Sequence, residues 1–142
     1  MANIIEEKSF AFSVRIVNLY KHLNKTKKES VLSKQLLRCG TSIGANIAEA
    51  EQAQSTPDFV SKMSIALKEA SETKYWIRLL ASTNYLTEAE SVSILNDCIE
   101  LEKNFSKHYK ILKIIFNFPF STFNSIRGCG GIGRRARFRI LC

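Results

Sequence analysis

Residues 35–50 read QLLRCGTSIGANIAEA, and their pattern decides the fold. Apolar positions, small residues at regular spacing and a polar series run through one segment with no break. Written on a helix, Gly40, Gly44 and Ala48 fall at i, i+4 and i+8 and form one bald ridge. Arg38, Ser42, Asn46 and Glu49 follow at steps of four, four and three, so a polar ridge runs beside it. A glycine inside a soluble helix costs roughly 1 kcal/mol against alanine. Two of them predict that another backbone comes close. The segment speaks for architecture and hardly at all for chemistry.

The rest of the chain agrees with that reading. Its 142 residues suffice for one domain with a proper core. An apolar fraction of 45% and a charged fraction of 24% are those of an ordinary globular protein. Prolines number two, and four of the six glycines crowd between Gly128 and Gly133, which leaves the preceding chain free of strong breakers. Phe12, Ile16, Leu19, Tyr20 and Leu23 recur at helical spacing, with Phe10, Val14 and Val17 as an adjacent stripe. So wide an apolar face suits a helix with two neighbours, or one sharing its face with another subunit. Thr26 and Glu29 have capping-box spacing before a second helix, whose expected buried side is Val31, Leu32, Gln35, Leu36, Cys39, Ile43, Ile47 and Ala50. Thr56, Pro57 and Asp58 open a third, with Thr56 as the expected cap. Its apolar stripe runs Phe59, Met63, Ala66, Leu67, Ala70 and Ile77, broadened by Tyr75, Trp76, Leu79 and Leu80. Thr87 and Glu90 form a second box before a fourth helix, which buries Val92, Leu95, Ile99, Phe105 and Leu112. The spacing predicts helices over about 8–23, 28–53, 57–82 and 87–113. Short connections predict an all-α, antiparallel up-down-up-down four-helix bundle. Residues 114–142 read as an irregular tail.

The formal charge of +8 is mostly a property of that tail. Residues 127–142 hold five of the 21 basic residues and none of the 13 acidic ones, so 16 face 13 elsewhere, a net of +3. A domain-wide basic footprint, the usual sign of phosphate binding, is missing. The cysteines (Cys39, Cys98, Cys129 and Cys142) show no C-x-x-C pair and read as structural thiols. An N-terminal signal pattern is lacking, and no apolar run approaches the roughly 20 residues of a membrane span. The expectation is a cytoplasmic protein.

Candidate chemistry is sparse. Gly128, Gly130 and Gly133 match G-x-G-x-x-G, but no strand precedes and no helix can follow, so the match reads as chance. Arg134, Arg135, Arg137 and Arg139 would be a nucleic-acid arm if the tail were selected as protein. His22 and His108 lack ligand-spaced companions. Glu69 and Glu72 lie three apart with no E-x-x-H partner, so a polar contact between helices, with Arg38 as the natural partner, is the better reading. Thr41 and Ser42 have no histidine placed beside them. Lys103, Lys107, Lys110 and Lys113 form the best basic strip, a candidate nucleic-acid contact against the plainer reading of a solvated face. Neither cofactor nor metal nor small-molecule substrate is implied.

Taken together, KSFAFSVRIVNLY (8–20), QLLRCGTSIGANIAEA (35–50) and DFVSKMSIALKEASETKYWIRLL (58–80) resemble the four-helix-bundle family found as reading frames in intervening sequences of 23S ribosomal RNA genes. The resemblance covers about residues 8–113. It implies an antiparallel bundle assembled as a ring-shaped homopentamer, without established enzymatic activity. One related branch serves as an accessory subunit to reverse transcriptases of diversity-generating retroelements, using a basic surface for nucleic acid. The chain departs from the family pattern at Cys39, where serine is more usual, and beyond Lys113, where the family ends. Synonymous codons for residues 129–142 spell a string similar to the 5′ part of a bacterial leucine tRNA gene, so the tail reads as a frame running into such a gene. Coding DNA unable to form the tRNA acceptor and D-arm pairings would sink that idea. The functional expectation is a non-catalytic, oligomeric assembly or adaptor protein that contacts RNA; the alternative is a nucleic-acid-binding accessory of a reverse transcriptase.

Overall fold

The computed structural model describes residues 2–115, which form four helices: α1 (Ala2–Lys27), α2 (Leu32–Glu51), α3 (Thr56–Ser82) and α4 (Glu88–Ile115). The tail features named above, from the glycine triad and arginine cluster to Cys129 and Cys142, lie outside the described residues. So do the side chains of Leu112 and Lys113.

The helices close a ring of contacts. α1 packs on α2, α2 on α3, α3 on α4 and α4 back on α1, with α2–α3 the most extensive seam and α1–α4 the thinnest. Contacts step in opposite senses along neighbours. Arg38 meets Glu69 and Glu72 while Glu49 meets Lys62, and Arg15 meets Asp97 while Lys8 meets Glu100. That is the register of adjacent helices pointing opposite ways. The core follows from helical periodicity: Phe12, Ile16, Leu23, Leu36, Ile43, Ile47, Ile77, Leu80, Cys98 and Phe105 are all buried. Truncating one of the isoleucines to alanine costs about 2–5 kcal/mol.

Helix ends depart most from expectation. α1 runs through Thr26, which therefore caps nothing. Lys28 takes a left-handed φ of 55°, and this swings the Glu29 amide back to donate to the Leu23 carbonyl at 3.1 Å. Glu29 itself is the cap of α2: its carboxylate accepts from the amides of Val31, Leu32 and Ser33 at 2.9, 2.7 and 2.8 Å. α2 thus starts four residues later than expected. At α3 the cap is Ser55 rather than Thr56, with Ser55 Oγ accepting from the Asp58 amide at 3.3 Å. The box at Thr87 and Glu90 forms as expected, the Thr87 amide donating to Glu90 and the Glu90 amide to Thr87 Oγ1. Leu86, just before it, is buried. Asn84, at φ 63°, turns the Tyr85 and Leu86 amides back onto the Leu80 carbonyl.

Several expected core positions are exposed. Val31 precedes α2 and is 73% exposed, Gln35 points outward, and Tyr75 and Val92 sit on outer faces. Tyr75 and Val92 lie off the buried face of their helices, Val31 falls before its helix begins, and Gln35 keeps its polar amide in water.

Candidate functional site

The two ridges of residues 35–50 serve different neighbours. Gly40 faces Ile16 of α1, where an added Cβ would lie 2.9 Å from both Ile16 Cγ1 and Cγ2. Gly44 faces Ser13 and Ser9; a Cβ there would meet Ser13 Oγ at 2.8 Å and the Ser9 carbonyl oxygen at 3.3 Å. The close approach is therefore between α1 and α2. Ala48, the third member of the ridge, is exposed.

The polar ridge faces α3. Arg38 Nη2 donates to Glu72 Oε1, which also accepts from Trp76 Nε1 at 3.1 Å. Arg38 Nη1 lies 3.6 Å from Glu69 Oε2, a buried oxygen with no hydrogen-bond partner. One guanidinium thus stands before two carboxylates and bonds only one. Burial raises the Glu72 carboxyl, but the Trp76 and Arg38 hydrogen bonds outweigh it and the net shift is downward. For Glu69, burial dominates and the carboxyl is held above its usual range. Further along, Glu49 pairs with Lys62 of α3, while Asn46 donates to the Ser42 carbonyl at 2.8 Å within α2. The expected ridge thus divides: Arg38 and Glu49 reach α3 and join Glu69, Glu72 and Lys62, whereas Ser42 and Asn46 bond each other. What the arrangement can do chemically is pin α2 to α3. Burial pushes the thiols of Cys39 and Cys98 up to about 11 and about 12, so neither is a thiolate nucleophile near neutral pH.

Other interhelical polar contacts are similar. Arg15 bonds Asp97 and donates to Ser93 Oγ at 2.6 Å, Lys8 pairs with Glu100, and Lys74 pairs with Glu102. Among the described residues no group of three or more His, Cys, Asp or Glu side chains could hold a metal ion, and no helix is long and apolar enough to cross a membrane.

Three features escaped sequence reasoning. An open groove of about 540 Å³ runs between α1 and α2. It is lined by Glu6, Glu7, Ser9, Phe10 and Ser13 of α1 and by Thr41, Gly44, Ala45 and Ala48 of α2. Phe10 is 69% exposed there, beside the exposed Val14. The apolar stripe was legible in the sequence, but not that it borders a channel. Glu29 is the second feature: its spacing from Thr26 marked it as the third residue of a box, whereas it is itself the cap. The third is a basic end at the α1–α2 connection, where Lys21, Lys25, Lys27, Lys28 and Lys34 are all exposed. On α4, Lys103, Lys107 and Lys110 are exposed. Their side chains, like those of Glu6 and Glu7, form no ion pair among the described residues.

Four long helices tied to their neighbours by a buried apolar core and by partly exposed ion pairs define an all-α helix-bundle protein. The sequence model of the family described as 23S rRNA-intervening sequence protein matches residues 1–107. A crystal structure of a protein of unknown function from the S23 ribosomal protein family, from Bacteroides thetaiotaomicron, is similar with a TM-score of 0.76 and 56% identity, covering 77% of this chain and 97% of that one. Among curated proteins none matches. The chain belongs to the 23S rRNA-intervening sequence protein family.

Proposed function

We propose that this protein is a non-catalytic homo-oligomer that works as an assembly or adaptor unit. The observation that carries the reading is Phe10, a large aromatic residue that is 69% exposed and lines the α1–α2 groove, with Val14 exposed four residues further along the same helix. Large apolar side chains left in water beside a groove suit a contact with another protein. The use of Arg38, Glu72, Arg15 and Asp97 as helix-to-helix ties supports a structural rather than a chemical role for the polar residues. The family resemblance points to five copies. Native mass spectrometry of the full chain tests the proposal: a particle about five times 16.1 kDa is expected, and a single-chain mass at micromolar concentration would overturn it.

A second reading, contact with nucleic acid, is favoured by the exposed lysines on α4 and at the α1–α2 connection, which are free to meet phosphates. It covers both an RNA-contacting adaptor and an accessory of a reverse transcriptase. A reverse transcriptase gene beside the coding sequence would favour the accessory role, and a position inside an rRNA gene the adaptor. Filter binding of a structured 23S rRNA fragment at graded salt measures the contact. Retention that does not fall as salt rises would remove phosphate recognition from consideration.

A further inference from the structure

The acidic lining of the α1–α2 groove and the basic face of α4 are both left open within one copy. Glu6 and Glu7 line the groove together with Phe10, Gly44, Ala45 and Ala48. Lys103, Lys107, Lys110 and Ile114 fall at i, i+4, i+7 and i+11, so they share one stripe of α4. Ile114 is 78% exposed and its neighbour Ile111 also faces out, so the stripe is both basic and apolar. The groove is both acidic and apolar. Other charged groups nearby are spent inside the copy: Lys8 on Glu100 and Arg15 on Asp97. The basic end at the α1–α2 connection matches the groove less well. It has its own acid, Glu90, close to His22 and Lys27, and Val31 is the one large apolar side chain exposed on its short connection.

We propose that the α1–α2 groove of one copy receives the Lys103–Lys107–Lys110 face of α4 from a second copy. The proposal rests on the homo-oligomeric reading above and adds the surfaces that meet. Apolar residues at the end of α4 lie against Phe10 and the small residues of the groove, and the lysines face Glu6 and Glu7. Two grooves cannot face each other, nor can two strips, because like charges would oppose. Each groove therefore takes a strip, and such a contact either repeats head-to-tail, closing a ring or running on as a filament, or is returned reciprocally in a two-fold dimer. The mass of the particle tells the two apart.

Charge reversal on the full chain tests it by native mass spectrometry. The pair Glu6→Lys and Glu7→Lys, or the triple Lys103→Glu, Lys107→Glu and Lys110→Glu, is expected to raise the protein concentration needed for assembly by at least about tenfold. All five changes in one chain restore assembly, and mixing the two variants gives particles that contain both. Phe10→Ser, which alters no charge, weakens assembly as well. Circular dichroism confirms helicity in each variant. If wild type is oligomeric and the reversed variants keep its mass, this pairing is wrong while the oligomeric reading stands. Should the lysine triple lose RNA retention with unchanged mass, the strip belongs to a polyanion, which also overturns the pairing. A wild type of single-chain mass removes both readings.

Discussion

At Gly40 and Gly44 the same substitution meets different neighbours. Alanine gains about 1 kcal/mol of helix propensity at either position. At Gly40 the new methyl presses on both branches of buried Ile16, which cannot rotate away, and overpacking of this kind costs about 1–3 kcal/mol. At Gly44 the nearest atom is the Ser13 hydroxyl, which can turn at the cost of its 2.9 Å hydrogen bond to the Ser9 carbonyl, an exchange that offsets the gain in propensity. Gly40→Ala is thus expected to lower the urea midpoint, by about 1 kcal/mol in stability, and Gly44→Ala to leave it nearly unchanged. Equal losses would contradict the geometry. Glu29 offers a second test. Burial raises its carboxyl, but bonds from the Leu32, Ser33 and Val31 amides outweigh that, so it titrates below 4.5 in the folded chain. The unfolded chain takes up the proton first as pH falls, so this stabilisation is complete above 4.5 and is lost as pH drops through the lower folded value. Glu29→Ala should cost about 1–2 kcal/mol at neutral pH, as loss of a helix cap does. The gap should narrow in acid; a gap that widens would refute the cap.

Between elements, the α2–α3 seam concentrates the polar ties. Glu69 carries the opposite linkage to Glu29. Its carboxyl is raised by burial, opposed by Arg38 and reinforced by Glu72, so the folded chain holds the proton more tightly than the unfolded one. Stability from this group therefore declines as pH rises above 4.5. Glu69→Gln is expected to match wild type in acid and exceed it at neutral pH, with Trp76, the single tryptophan, reporting the environment of Glu72 by fluorescence. A glutamine variant that loses stability as pH rises would disprove the assignment. The four elements themselves were legible, because long apolar periodicity at 3.6 residues survives small errors. Their ends were not. Caps depend on which oxygen reaches which amide, and threonine, serine and glutamate within a few residues of one another compete on nearly equal terms. The polar ridge was legible as a ridge, and Arg38 with Glu69 and Glu72 as a cluster. Which members reach α3 depended on the rotation of α2, which no local pattern reveals.

For the molecule as a whole, the test lies in exposed Phe10 and Ile114 and in whether a second copy covers them. Any assembly that covers them binds the folded chain alone, so the melting temperature should rise with protein concentration. A melting temperature constant over a hundredfold dilution, about 2.7 kcal/mol of mass action, would speak against such cover. Such surfaces are where sequence reading stops, since hydrophobicity cannot distinguish a residue buried by its own chain from one awaiting another. A smaller feature has a separate consequence. Ile5 of α1 and His108 of α4 line one cavity of about 140 Å³, together with Ile47, Glu51, Phe59 and Met63. The start of α1 and the end of α4 therefore lie side by side. A circular permutant that links residue 115 to residue 2 through a flexible spacer and opens between Glu51 and Thr56 should keep the native helicity and cooperative unfolding. The order in which the helices are strung would then be interchangeable, and the thinnest seam of the ring would become a covalent one.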